Sequence, residues 1–380
     1  MKKRILLFAD WYAPGYKAGG PIRSTVNFTQ HLKKDYDIYV YTSDRDLGSE
    51  SPYEDILTDT WIDAEPGVHL FYSSPARRGR GFIKEQIGQI APDFIYLNSM
   101  WSLHFTLFPL LVARSMGSAR PVVVLSPRGM LRSSALRFKP VKKKLFLALF
   151  RLLKFQTIIR FHAADEEEQK DVRLQFGPAA SVSVISNLPA VLSNEPAYIE
   201  KIPGSLSMIF VGRVHPIKNL DYLLLAMTQL SHPVRLTIVG NMEDRAYWEK
   251  CNQIIGTLPS AVKVDYLGEI PNEQIAGLIK KHHIFVLPTQ GENFGHAIFE
   301  SFSSKRPVMI SDQTPWRQLS EAKAGWDLPL QKPDGFSRAM LQAISWDQAE
   351  FNEWSDSAFR FALRHRENSG ALEKYRQLFA

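Results

Sequence analysis

Short unbroken apolar runs alternate with amphipathic stretches along most of this chain, and that alternation leaves few architectures open. "RILLFA", "DIYVYT", "VHLFYS", "DFIYLN", "PVVVLS" and "TIIRFH" read as strands in the first half. A strand that is apolar throughout is buried on both faces, as in a parallel sheet between two helical layers. Between the first two strands, "PIRSTVNFTQHLKK" sets Ile22, Val26 and Leu32 near helical spacing, with Pro21 suited to a first turn. The second half repeats the pattern with "SLSMIFVG", "VRLTIVG", "VKVDYLG", "HIFVLPT" and "RPVMIS", separated by helical stretches such as "NLDYLLLAMTQL" and "NEQIAGLIKKH".

At 380 residues the chain exceeds one compact core and points to two domains. The break falls in the Pro-, Ser- and Asn-rich stretch 186–205. The expected division is a domain over 1–190, a linker over 191–205, a second domain over 206–345 and charged helices over 346–380 that pack back toward the first domain. Two facing parallel α/β domains enclose a cleft, the expected ligand site.

Cys251 is the lone cysteine, which excludes an internal disulfide and suits a reducing compartment. The apolar run after "MKKR" is too short for a signal peptide, and no run reaches the length of a membrane span. A cytoplasmic protein is expected. Its net charge of +7 lies entirely in residues 1–195, which hold 26 Lys/Arg against 19 Asp/Glu. No acid occurs between Asp93 and Asp165, an interval with twelve Lys/Arg. Such asymmetry points to an anionic partner: nucleic acid, membrane lipid or a phosphorylated substrate. Nucleic acid is disfavoured, because no recognition motif accompanies the charge.

The chemistry-bearing residues cluster in the second half. "FVGRVHPIKNL" ends a strand at Gly212 and places Arg213 and Lys218 before a helix, where two cations suit a diphosphate. Solvated loop cations are the plain alternative. "PTQGENFGHAIFESF" puts Glu292 in the loop after a strand, Phe294, Gly295 and His296 at a helix start, and Glu300 more than a turn inside. Helix-start amides favour an anion, and Gly295 permits close approach. Two carboxylates so spaced can grip both ends of one ligand. Dipole compensation accounts for one of them alone. In the first half, Gly19 and Gly20 sit between the first strand and its helix, where a phosphate or sugar can touch backbone amides.

Together "GRVHPIKNLDYLLLA", "YLGEIPNEQIAGLIKKHHIFVLPT" and "GENFGHAIFESFSSKRPVMIS" resemble the C-terminal domain of the retaining GT-B glycosyltransferases of family 4. "YAPGYKAGG" resembles that family's N-terminal glycine loop, and "PRGML" a subgroup linked to surface polysaccharide synthesis. The resemblance implies a GT-B fold, two facing Rossmann-like domains. It implies a nucleotide-sugar donor and a saccharide or lipid-diphosphate-linked acceptor, with no cofactor and no metal. It gives Glu292 to the donor sugar hydroxyls, Glu300 to the ribose, and Arg213 and Lys218 to the diphosphate. Arg213, Lys218 and Glu292 are thereby the catalytic set. The donor side takes Gly19, Gly20, Gly212, Gly240, Phe294, Gly295 and His296. Arg128 stands where the family often has a histidine, on the acceptor or donor side, and "ISNLPA" replaces the usual Pro-Asn-Gly. A sugar-nucleotide epimerase and a non-catalytic partner are the competing readings.

Two further features stand outside this set. Asp35–Asp37 and Asp44–Asp46 form Asp-x-Asp patterns, read as turns rather than a metal site. Residues 136–155, "LRFKPVKKKLFLALFRLLKF", mix cations with Leu and Phe. Their apolar positions are expected to be a core stripe, while the charged ones leave an anionic inner-leaflet surface open as a partner.

Overall fold

The computed structural model describes residues 2–137, 140–190, 198–332, 334–368 and 370–380. It divides into two compact units, Met1–Val191 with Ser369–Ala380, and Leu192–Asn368. Of the expected linker, 191–197 lie outside the described residues.

The first unit runs β1 (Lys3–Phe8), α1 (Gly20–Leu32), β2 (Tyr36–Ser43), β3 (Trp61–Glu65), β4 (Val68–Ser73), α2 (Arg80–Ile90), β5 (Phe94–Leu97) and α3 (Phe108–Ser115). It continues with β6 (Val122–Leu125), α4 (Ser133–Leu136), α5 (Pro140–Leu152), β7 (Ile159–Ala163), α6 (Glu166–Phe176) and β8 (Val182–Val184). Its sheet has the order β3-β4-β2-β1-β5-β6-β7-β8. Neighbouring strands are parallel except β3 and β4. That exception departs from the parallel expectation, and its cause is local. Pro66-Gly67 joins the two strands in a tight turn with Gly67 at φ 83°, too short for the crossover a parallel pair requires. The apolar strands serve both faces of the sheet. Ile5 and Leu7 join one cluster with Phe28, Ile38 and Tyr96, while Leu6 and Phe8 join another with Tyr41, Ile83 and Phe150.

The second unit runs β9 (Leu206–Val211), α7 (Leu220–Met227), β10 (Val234–Val239), α8 (Arg245–Ile255), β11 (Val262–Tyr266), α9 (Asn272–Ile279), β12 (Ile284–Leu287) and α10 (His296–Ser303). There follow β13 (Val308–Ser311), β14 (Gly325–Leu328), α11 (Asp334–Ser345) and α12 (Gln348–Asn368). The sheet is parallel throughout, in the order β11-β10-β9-β12-β13-β14. Its strand order reverses between β9 and β12, and open sheets of this kind bind ligands at such a switch point. The last helix, α13 (Ala371–Leu378), belongs to the first unit. There Tyr375 and Phe379 pack edge-on against Phe28, with ring centroids 5.6 and 5.7 Å away.

Candidate functional site at the second switch point

The loops after β9 and β12 lie side by side because their strands pair, and hydrogen bonds lock them together. After β9 the chain turns through Pro216–Lys218, with His215 Nδ1 accepting from the Ile217 amide at 3.2 Å. The Ile217 carbonyl then accepts from the Gln290 amide at 2.7 Å and the Thr289 hydroxyl at 3.1 Å. This brings the two singled-out loops into contact at their charged side chains. Lys218 Nζ donates to Glu292 Oε1, and both side chains are 15% exposed. Burial of most of both side chains in a direct contact makes this pair more than a passing surface bridge, yet an ammonium keeps further donors for a ligand.

Arg213 is placed differently. Its guanidinium donates to Glu243 Oε2 and is 45% exposed. An exposed pair of this kind contributes at most about 1 kcal/mol to folding, so Arg213 can exchange its carboxylate for another anion at little cost. Glu243 has no motif around it, and the sequence offers no sign of its pairing.

Gly212 and Gly240 meet through their backbones. A Cβ on Gly240, at φ 143°, would lie 2.0 Å from the Gly212 carbonyl oxygen. Glycine here lets the ends of β9 and β10 close together beneath Arg213. Gly295 is the left-handed residue (φ 77°) that caps α10, so the helix begins at His296. A Cβ there would lie 2.7 Å from Ile298 Cδ1. Phe294 is buried, and its carbonyl accepts from Trp316 Nε1 at 2.6 Å. Trp316 packs in turn against His365, ring centroids 4.5 Å apart and tilted by 52°, and burial lowers the His365 pKa. Trp316 and His365 therefore fix the loop that presents the α10 amides, a role the sequence pattern did not single out. Glu300 lies on α10, 8% exposed.

The first unit has its own switch point, between β2-β1 and β5. Gly19, at φ 65°, caps α1, and Gly20 opens it. Asp46 holds the preceding loop by accepting from the Tyr16 and Lys17 amides at 2.8 and 3.1 Å. Asp44 pairs with Arg45 and Arg78, each at 2.8 Å, and Asp35 pairs with Arg376 at 2.9 Å. Among the described residues no group of three His, Cys, Asp or Glu side chains is arranged to hold a metal. Arg128, at φ 54°, donates to Asn98 Oδ1 (2.6 Å), the Tyr96 hydroxyl (2.9 Å) and Asn187 Oδ1. Asn98 and Asn187 come from the loops after β5 and β8, so Arg128 ties three loops together. Asp10, at the end of β1, has its carboxyl pKa raised by burial, with Ser102 and Ser99 opposing the shift.

Residues 205–345 match the family of glycosyl transferases group 1. The matched segment contains every element of the second switch point. Among curated relatives, an uncharacterized glycosyltransferase of Methanocaldococcus jannaschii is 27% identical over 172 residues, 44% of this chain and 40% of the relative. The O-antigen chain mannosyltransferase B of Escherichia coli is 29% identical over 145 residues, 37% of each chain. The chain thus spans less than half the length of these relatives. The solved structure of Anabaena HepE in complex with UDP-glucose covers 99% of both chains, with TM-score 0.65 and 15% identity. At that identity the likeness shows the fold, which is GT-B: two α/β units with parallel sheets.

Proposed function

We propose that this protein is a retaining, metal-independent glycosyltransferase that moves a sugar from a nucleotide-diphosphate donor to a saccharide or lipid-linked saccharide. The Lys218–Glu292 contact carries this reading, because it sets a cation and a carboxylate on neighbouring switch-point loops. Lys218 and Arg213 bind the diphosphate, Glu292 the sugar hydroxyls and Glu300 the ribose. The glycosidic carbon–oxygen bond to phosphate breaks while a bond to the acceptor hydroxyl forms on the same face. The acceptor proton passes to the departing phosphate. Negative charge grows on that leaving oxygen, and the two cations with the α10 amides are arranged to stabilise it. The likeness to an O-antigen chain mannosyltransferase supports a role in bacterial surface polysaccharide synthesis, and the UDP-glucose bound in the HepE structure supports a nucleotide-sugar donor.

The test is calorimetric titration with UDP, GDP and ADP, without metal, beside Glu300→Ala. Selective binding to one nucleotide that weakens in the variant supports the donor site and names its base. Incubation of the matching nucleotide sugar with candidate acceptors then separates transfer from an isomerised donor, the epimerase outcome. A folded protein that binds none of the three nucleotides overturns the reading.

A further inference from the structure

The helix α5 presents an apolar stripe to solvent. Val141, Leu145, Leu149 and Leu152 are 77, 72, 39 and 76% exposed. Their spacing of four, four and three residues puts them on one helical face. The opposite face is the packed one, where Leu147 and Phe150 are buried and Lys143 donates to the Ala135 carbonyl at 2.6 Å. The core stripe expected for residues 136–155 is therefore only half of the apolar content, and the other half points away from its unit. At 100° per residue, Lys142 borders the exposed stripe on one side and Lys144 and Arg151 on the other. All three are exposed.

We propose that α5 docks the protein on an anionic lipid bilayer, its four apolar side chains entering the headgroup–acyl boundary and its flanking cations meeting lipid phosphates. An apolar ridge bordered on both sides by cations fits that interface, and the stretch 94–164 contains no carboxylate to repel it. A second copy of the chain fits worse. Two-fold pairing of the stripe on itself would bring Lys142, Lys144 and Arg151 against the same cations. A charged peptide partner would leave the leucines without purpose. The inference does not rest on glycosyl transfer, because no donor-site residue lies on α5.

The experiment is flotation of the whole protein with vesicles of phosphatidylcholine alone or mixed with phosphatidylglycerol, at low and high salt. Wild-type protein is expected to float with the anionic vesicles, less at high salt, and weakly with the neutral ones. Leu145→Glu/Leu152→Glu should lower partitioning by at least about tenfold, from the lost apolar burial and added charge. Lys142→Glu/Lys144→Glu should abolish the preference for phosphatidylglycerol. Leu341→Glu, an exposed leucine on α11 in the other unit, should float like wild type. Circular dichroism and nucleotide titration of each variant report folding and the donor site separately. Folded protein that ignores anionic vesicles overturns the proposal. So does equal loss in Leu341→Glu, or a dimer in sedimentation that only the stripe variants dissociate.

Discussion

The two sheets share one plan and spend their switch points differently. In the second unit the charges stand at the loop tips: Lys218 against Glu292, Arg213 against Glu243, both pairs with access to solvent. In the first unit Arg128, in the loop after β6 beside the switch point, is turned inward and donates to Asn98, Tyr96 and Asn187. A similar central strand order thus carries, in the second unit, the charges proposed to exchange their ion partners for a ligand and, in the first, polar groups that brace the scaffold. A guanidinium with three neutral acceptors cannot leave them without exposing unpaired buried groups. A lysine paired with one carboxylate loses far less when an anion arrives.

Breaking the poised side should produce the largest effect. Lys218→Ala is expected to lower kcat/KM for sugar transfer by about 10²–10³, the magnitude of losing one donor to a developing oxyanion. Its thermal midpoint should move little beside that loss. Near-wild-type turnover would sink the assignment.

The braced side should respond in the opposite sense. Arg128→Met is expected to destabilise the fold by about 2–4 kcal/mol in urea titration, since it strands the side-chain oxygens of Asn98 and Asn187. Nucleotide affinity should be unchanged, because the proposed donor-site charges, Lys218 and Arg213, lie on the other unit. A stable Arg128→Met protein with altered turnover would return Arg128 to a direct role with substrate.

Acid should also weaken the braced unit. Burial, with Arg128 nearby, lowers the His162 pKa to about 3. The ring accepts from Tyr96 at Nδ1 and donates from Nε2 to the Ile185 carbonyl at 2.8 Å, the neutral form. Below about pH 6.5 the unfolded chain binds a proton that the folded ring refuses. Stability from this group is complete above that pH and falls as pH drops from about 6.5 toward 3, by up to about 1.4 kcal/mol per unit. His283 in the second unit, at about 4 and also depressed by burial, adds the same sign over a narrower window. Denaturation at pH 7 and 5 should show the loss, and His162→Gln should flatten the part that belongs to the first unit.

Smaller effects belong to Gly295 and Arg213. Alanine at φ 77° with Ile298 Cδ1 2.7 Å from its Cβ should cost about 1–2 kcal/mol. It should weaken nucleotide binding more than Arg213→Ala weakens folding, as the exposed Arg213–Glu243 pair is worth less than about 1 kcal/mol. Equal nucleotide affinity in Gly295→Ala would detach the α10 start from the ligand.

Much of this was legible without coordinates. Unbroken apolar runs cannot sit at a half-exposed surface, so two parallel sheets followed from the strands themselves. Strand-end glycines and the spacing of Glu292 and Glu300 marked the candidate site, because turn geometry and helix starts are written in local sequence. The short strands β3, β8 and β14 were missed, since a few mixed residues gain strand character only from the neighbour they pair with. Tertiary structure alone decided the partners: Glu243 for Arg213, Asp46 for the glycine loop, Trp316 for the Phe294 carbonyl, and Tyr96 with two distant loops for Arg128. It alone decided that three of the four leucines of α5 face outward. Periodicity tells which residues share a face, but only packing against the rest of the chain determines which face is covered.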